Sequence, residues 1–583
     1  MPTVELVILL LIVAAGLELL SRRIGVPRPI LLVIAGTLLA IVPSAPTVRV
    51  DPNVVFVIFL PPLLYWAAIN TSYREFRRNG RDIMLLAVGL VVATAVAVAA
   101  VAHALLPVLS WPAAFALGAA VGPTDAVAAT SVMRRFGVPR NIVSVLEGES
   151  LVNDATSLVI FEMAITAADT GTFSLGPALL NFIWAAGGGV AIGLGAGWCI
   201  GYVRRWLRRK PDPNPVVETS LSLLTPFLAF LAADRIHVSG VLAVVVVGLY
   251  LGHASSRLLS APSRLQAINM WQVVDFLMEG LLFIIVGLGL PLAISAVEGG
   301  SEATLPSLLL AAALVSLVVI VLRLGWVFPA TYLSRFIRRK VWSKRDTYPP
   351  WQDVFFEGWA GLRGAVSLVL ALSIPFVTAA GVPFPGRDLV IFVTFAVILV
   401  TLIGQGLTLR PLIGKLGLRE DNEDAYEETQ ARLESSRAAL ARLERIVPEL
   451  KAAANPDGQD RTDNPADNSE LQPVIDRLYE RYTHLIHRYS NEARIRCSRG
   501  AGLLDAADDE AAEAIEAERD ERRADLYLQV RVQVIDAERQ ELIRLRDTGE
   551  ISDGVLHVVE RDLDLEQSLI TGRSSATEGV KGW

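Results

Sequence analysis

Apolar residues in this chain of 583 residues come in long unbroken runs, and the runs stop near residue 415. A helix needs about 20 apolar residues to cross a bilayer, and about thirteen runs meet that criterion. They are 3–21, 29–46, 53–70, 83–107, 111–132, 143–168, 176–203, 215–234, 237–255, 268–293, 304–330, 353–378 and 388–413. Beyond them the pattern changes. Residues 423–453 mix Glu, Arg, Leu and Ala at helical spacing, and 455–469 read as a flexible break rich in Asn, Pro, Asp and Gly. A helical pattern resumes over 471–497 and 505–547, and again over 550–570. The expected fold class is therefore all-α: a transmembrane domain over 1–415 and an acidic helical domain over 416–583. No site motif falls in the second domain, which reads as structural or regulatory helices.

Charge orients the spans. Arg22, Arg23 and Arg28, then Arg74, Arg77, Arg78 and Arg81, then Arg134, Arg135 and Arg140 fall in alternate connections. So do Arg204, Arg205, Arg208, Arg209 and Lys210, then Arg257 and Arg264, and the basic run from Arg335 to Arg345. The intervening connections hold only Arg49, Arg235 and Arg387. Positive connections stay cytoplasmic, so the N-terminus is expected outside and the C-terminus inside. The net charge of −7 averages two unlike parts, because residues from Leu416 onward carry 23 basic and 38 acidic side chains. Two cysteines, Cys199 and Cys497, allow neither a disulfide framework nor a Cys-rich metal site. Met1-Pro2-Thr3-Val4-Glu5 has no basic residue before its apolar run, which reads as a permanent helix and not a cleaved signal.

An ionisable group deep in a bilayer costs several kcal/mol and is a functional suspect by default. Asp125, Glu149, Asp154, Glu162, Asp275, Glu279, Arg323 and Arg363 fall inside the runs. Gly122-Pro123 breaks the hydrogen-bond ladder of its span just before Thr124 and Asp125. Freed backbone groups are tolerated there only beside a cavity or protein partners, as in the ion sites of secondary transporters. The alternative is a proline kink with a capping Asp. In Glu149-Ser150-Leu151-Val152-Asn153-Asp154, Ser150 and Asp154 share one helix face, and Glu149 and Asn153 share the next. Oxygen ligands with one ionised member suit a hard monovalent cation, and a buried carboxylate can also take a proton. The competing reading of Asp154 is a polar contact between helices. Three glycines surround Arg363 in Gly358-Trp359-Ala360-Gly361-Leu362-Arg363-Gly364, which marks a loosened helix whose arginine can neutralise carbonyl ends or acids. The competing reading is an arginine snorkelling to the interface. Gly187–Gly189 and Gly193–Gly197 mimic a nucleotide loop but sit in an apolar span with no preceding strand, so they read as close helix packing. Six scattered histidines, His103 and His237 among them, form no metal cluster.

These motifs resemble the electroneutral branch of the monovalent cation/proton antiporters, the sodium/proton exchangers, and their bacterial members most of all. The matching stretches are Phe59-Leu60-Pro61-Pro62-Leu63-Leu64-Tyr65, Pro123-Thr124-Asp125 and Glu149 to Asp154. Later come His237-Val238-Ser239-Gly240-Val241-Leu242-Ala243 and Gly361-Leu362-Arg363-Gly364-Ala365. The resemblance implies thirteen helices with two inverted six-helix repeats, and crossed broken helices in the fifth and twelfth spans. It also implies a mobile core, a dimerisation domain and a homodimer in the bacterial inner membrane. Asp154 would bind cation and proton in turn, with Na+ held by Asp154, Ser150, Thr124 and Asp125. Asn153 implies one-to-one, electroneutral exchange. Glu149 would form a structural ion pair with Arg323, and Arg363 would serve as the charge at the broken helices. Thr124-Asp125-Ala126 departs from the family's commoner Thr-Asp-Pro, so Pro123 would supply the break. Glu162, Asp275 and Glu279 receive no role.

The expected activity is exchange of Na+, or of Li+ or K+, for H+, serving pH and sodium homeostasis. No enzymatic chemistry and no cofactor are expected beyond the transported ions. The partners are monovalent cations, protons, lipid and a second copy, and not nucleic acid. A potassium/proton antiporter on the same scaffold and a cation channel are the rival readings. An aspartyl hydrolase using Asp125 and Asp154 would leave Asn153 unexplained.

Overall fold

In the computed structural model of the chain, the described residues are 3–24, 28–41, 52–170, 175–209, 214–298, 305–342, 348–378, 381–418, 423–454, 466–498 and 521–580. Among them every regular element is a helix, apart from one isolated bridge between Val377 and Pro383. The helices of eight or more residues are α1 (Thr3–Ile24), α2 (Arg28–Ile41), α3 (Pro52–Asn70), α4 (Gly80–Leu105), α5 (Trp111–Val121) and α6 (Ala126–Arg135). Then come α7 (Arg140–Thr170), α8 (Leu175–Arg208), α9 (Pro215–Asp234), α10 (Gly240–His253), α11 (Ala261–Glu298) and α12 (Leu305–Trp342). They continue with α13 (Trp351–Trp359), α14 (Ala365–Leu372) and α15 (Arg387–Leu416). The last four are α16 (Glu423–Ala454), α17 (Ala466–Ser498), α18 (Glu521–Thr548) and α19 (Asp553–Val580). By length and composition, seven helices in the described residues can cross a membrane, and five further apolar helices are shorter.

Local chemistry sets the helix starts. Ser110 accepts from the amide of Ala113 at the head of α5, and Ser239 accepts from that of Leu242 at the head of α10. Asn214 does the same for Val216, with Pro215 at the first helical position of α9. Among the described residues two helices contain a π-helical turn, Leu85–Leu90 in α4 and Val400–Gln405 in α15.

The chain divides into two compact units. The first holds residues 1–258 and 267–420. Its two largest apolar clusters lie around Leu64, Leu117, Val244 and Val393 and around Val33, Phe283, Phe356 and Ile398. The glycine runs of α8 lie against α10. A Cβ on Gly189 or Gly193 would come within 2.6 Å of the Ser239 or Ala243 carbonyl oxygen, which is the close packing read from the sequence.

The second unit holds residues 259–266 and 421–583. Its core joins Ala439, Leu443, Leu478, Tyr482 and Val534 in one cluster and Ile535, Leu542, Leu545, Leu556 and Val559 in another. Gly549, with φ 89°, turns the chain from α18 into α19, and its amide donates to the Leu545 carbonyl. Residues 455–465 and 499–520 lie outside the described residues, and with them most of the expected break and the start of the expected 505–547 helix; residues 466–469, expected in the break, are helical at the head of α17. Arg531 joins this core through Tyr482, Glu538 and Glu566. Burial pushes the Glu566 carboxyl up, but its bonds from Arg531 outweigh that and hold it below the ordinary glutamate value.

Candidate ion site

Two spans are interrupted. The first stops at Val121 and resumes at Ala126, leaving Gly122–Asp125 non-helical, and Pro123 supplies the break with no amide to donate. The second stops at Trp359 and resumes at Ala365. The two breaks bond directly to one another, Asp125 N to Leu362 O at 2.7 Å.

Each break leaves a helix end exposed inside the protein, and a charge from the other break meets it. The Asp125 carboxylate accepts from Ala365 N at 3.4 Å, at the N-terminus of α14. The Arg363 guanidinium donates to the Gly122 carbonyl, at the C-terminus of α5. An acid at a helix N-terminus and a base at a C-terminus each match the local dipole. Arg363 is fully buried, so it does not snorkel. Glycine is needed where the breaks meet their neighbours. A Cβ on Gly364 would collide with the Asp125 carboxylate, and one on Gly361 with the Arg323 side chain.

Behind the crossing, Arg323 of α12 grips Glu149 of α7 with two bonds, Nη1 to Oε1 at 2.5 Å and Nη2 to Oε2 at 2.9 Å. Both side chains are 1% exposed. Arg323 also donates to the carbonyls of Gly358 and Glu357, so it holds the end of α13 as well. Thr124 ties the first break to this pair by donating to Glu149 Oε1 at 2.9 Å. Asn153 in turn donates from Nδ2 to Thr124 Oγ1 at 2.7 Å and to the Thr124 carbonyl at 3.4 Å. Ser150 Oγ accepts from Ala126 N at 3.3 Å and so caps α6.

Asp154 is different. It is 7% exposed and has Asp125 as a charged neighbour. The structure thus brings Thr124, Asp125, Glu149, Ser150, Asn153, Asp154, Arg323 and Arg363 to one crossing. Thr124 bonds both Glu149 and Asn153, while Asn153 Oδ1 is buried and accepts no hydrogen bond.

Sequence reading passed over several residues that support the crossing. Thr401, in the π-helical turn of α15, accepts from Arg363 N at 3.2 Å, and Gln405 donates to the Trp359 carbonyl at 3.0 Å. Their signal was a polar pair four residues apart in an apolar span. Glu279 forms an ion pair with Arg28, which also lies over the Phe276 ring at 4.7 Å. Asp275 of the same helix lies within electrostatic reach of both Arg28 and Asp125.

Broken helices crossing at buried charges define a membrane-embedded secondary transporter. The comparisons make the class particular. The transmembrane sodium/hydrogen exchanger family model matches residues 7–415, and the chain belongs to that family. It is 38% identical over 566 residues to an Na+/H+ exchanger of Mycobacterium tuberculosis, covering 96% of this chain and 95% of that one. It is 33% identical over 404 residues to the sodium, potassium, lithium and rubidium/H+ antiporter of Bacillus subtilis, covering 68% and 59%. The fold matches the sodium proton antiporter MjNhaP1 of Methanocaldococcus jannaschii, with a TM-score of 0.55 at 19% identity over 71% of this chain and 98% of that one.

Proposed function

We propose that this protein exchanges Na+ for H+ one for one, with Asp154 taking proton and cation in turn. The observation that carries the reading is the charge balance at the crossing. Glu149 is matched by Arg323, while Asp125 and Arg363 each sit on a helix end of opposite sign. Of these five charges, Asp154 is the one left over. One such carboxylate holds either one proton or one monovalent cation, so a full cycle moves no net charge. Na+ would be held by Asp154, with Ser150, Thr124 and Asp125 supplying further oxygens. Asn153, donating to Thr124, stands beside Asp154 without adding a further charge.

The cycle is alternating access. The site crosses when Asp154 is neutralised by either ion, because a bare charge crosses hydrocarbon at a cost of several kcal/mol. Thirteen spans in two inverted repeats, the N-terminus outside and the C-terminus inside, complete the picture, with a homodimer in the bacterial inner membrane. The physiological role is pH and sodium homeostasis. Asp154→Asn tests the assignment in proteoliposomes containing a pH-sensitive dye. Exchange is expected to vanish while the protein stays monodisperse; exchange at the wild-type rate would overturn the role of Asp154.

A wider cation range is the second reading, favoured by the similarity to the Bacillus sodium, potassium, lithium and rubidium/H+ antiporters. Dye dequenching by Na+, Li+ and K+ in parallel separates the two. A channel would instead pass current under an imposed voltage and fail to saturate.

A further inference from the structure

Arg363 uses only one side of its guanidinium on the first break. Nη1 donates to the Gly122 carbonyl, while Nε and Nη2 are buried and bonded by no described residue. Those two nitrogens form the edge that presents parallel N–H donors, the fork that ordinarily grips a carboxylate. Glu149 cannot serve it, being held by Arg323.

The face of α7 that meets the same break carries the complement. Asn153 and Ser157 stand one turn apart on that face, and both are 0% exposed. Asn153 Oδ1 and Ser157 Oγ make no hydrogen bond with the described residues. Ser157 Oγ lies 3.2 Å from where a Cβ on Gly122 would stand, and Asn153 donates to the Thr124 hydroxyl and carbonyl. The free acceptors thus flank the stretch from Gly122 to Thr124, whose first carbonyl Arg363 grips.

Two nitrogens that only donate therefore sit near an amide oxygen that only accepts and a hydroxyl that can do either. A water molecule matches all four, accepting from Nε and Nη2 and donating to Asn153 Oδ1 and Ser157 Oγ. Buried waters typically make about three such bonds to polar groups that are otherwise unsatisfied. A chloride ion would suit the fork but be repelled by Asn153 Oδ1.

The neighbouring bonds favour the same occupant. Thr124 has one hydroxyl proton and gives it to Glu149, so it must accept from Asn153 Nδ2. The Asn153 amide is thereby turned with Oδ1 away from the Thr124 hydroxyl, and Oδ1 needs a donor from elsewhere. With a water there, every bond runs one way, from Arg363 through water, Asn153 and Thr124 to Glu149. The chain begins on a cation and ends on an anion, so successive bonds polarise one another.

We propose that one water molecule is bound at the crossing by Arg363, Asn153 and Ser157, and that it fixes the Asn153 amide and so the Thr124 oxygens offered to the cation. Ser157 is then a positioning residue that touches no transported ion. The water site stands by itself, and its effect on exchange rests on the antiport reading.

The test compares the full-length wild type with Ser157→Thr and Ser157→Val, two variants of nearly equal volume that differ by a hydroxyl against a methyl. Each is imaged by electron cryomicroscopy at a resolution that shows ordered water. Each is also assayed in proteoliposomes for the Na+ concentration giving half-maximal exchange. Wild type and Ser157→Thr are expected to show a density within hydrogen-bond reach of Arg363 and Asn153 Oδ1, with half-maximal concentrations within about twofold of each other. Ser157→Val should lose the density, and its half-maximal concentration should rise about threefold or more. No density in wild type would overturn the site, as would a density that vanishes when chloride is replaced by gluconate, which marks an anion. Equal shifts in the two variants would show that bulk and not water acts on exchange, and would overturn the positioning role; so would wild-type exchange by Ser157→Val. If wild type shows no exchange, the antiport reading fails, and the density still decides the water.

Discussion

Glu149→Gln removes one charge of a pair that is almost wholly buried, and leaves Arg323 facing a neutral amide. The two bonds lost or weakened measure 2.5 and 2.9 Å. A hydrogen bond to a charged group contributes about 1.5–3 kcal/mol, so the two together contribute about 3–6 kcal/mol. Stripping one partner from a buried ion pair independently costs about 3–5 kcal/mol. The ranges overlap near 4 kcal/mol, about a thousandfold in a folding equilibrium at 1.4 kcal/mol per decade. Arg323→Met should cost a similar amount, because it strands Glu149. The double variant Glu149→Gln/Arg323→Met leaves no uncompensated charge and should recover at least half of either loss. Solubilised protein heated in steps and passed over a fluorescence-monitored sizing column gives the fraction still monodisperse at each temperature. Single variants that match wild type would refute the argument. So would a double variant that loses the sum of the two.

Gly364→Ala forces a methyl group against the Asp125 carboxylate and should cut exchange at least tenfold in the dye assay while the protein still assembles; wild-type rates would show that the carboxylate has room to move. Gly287→Ala meets the Val33 carbonyl and the Thr37 amide of α2, and should cost about 1–3 kcal/mol in thermal stability, as overpacking does. Exchange by wild type should be insensitive to a potassium diffusion potential clamped with valinomycin, and a rate that follows the potential would refute one-for-one exchange.

The long spans and the polar motifs were legible because a bilayer leaves few alternatives: apolar runs must be helices, and charges inside them must be satisfied. The Gly122-Pro123 break announced itself for the same reason. The pairing of Glu149 with Arg323 did not, since 174 positions separate them and spacing cannot choose among the buried acids. Thr401 and Gln405 were passed over because hydroxyls and amides are cheap to place in a helix and look like ordinary packing. Their register depends on a π-helical turn that carries no clear sequence signature. The bonding of Arg264 to Asp564 was hidden too, because that arginine counted as one of many positive charges on a cytoplasmic connection. Only its buried acidic partners, some 300 residues away, set it apart.

The π-helical turn at Val400–Gln405 gives the last span one residue more than a regular helix would hold. The surplus is taken up inside the turn, so the helix on either side keeps its phase. Deleting one of residues 402–404 would close the turn into regular helix and leave the flanking positions where they are. Deleting one earlier in the span, at 390–398, would rotate every later position by about 100° and move it by about 1.5 Å. Gln405 and Thr408, which bond Trp359 at the second break, would then face elsewhere. A single-codon deletion inside the turn should therefore be absorbed more readily than one in the regular helix before it, which makes the irregular turn the place where this span tolerates a change of length.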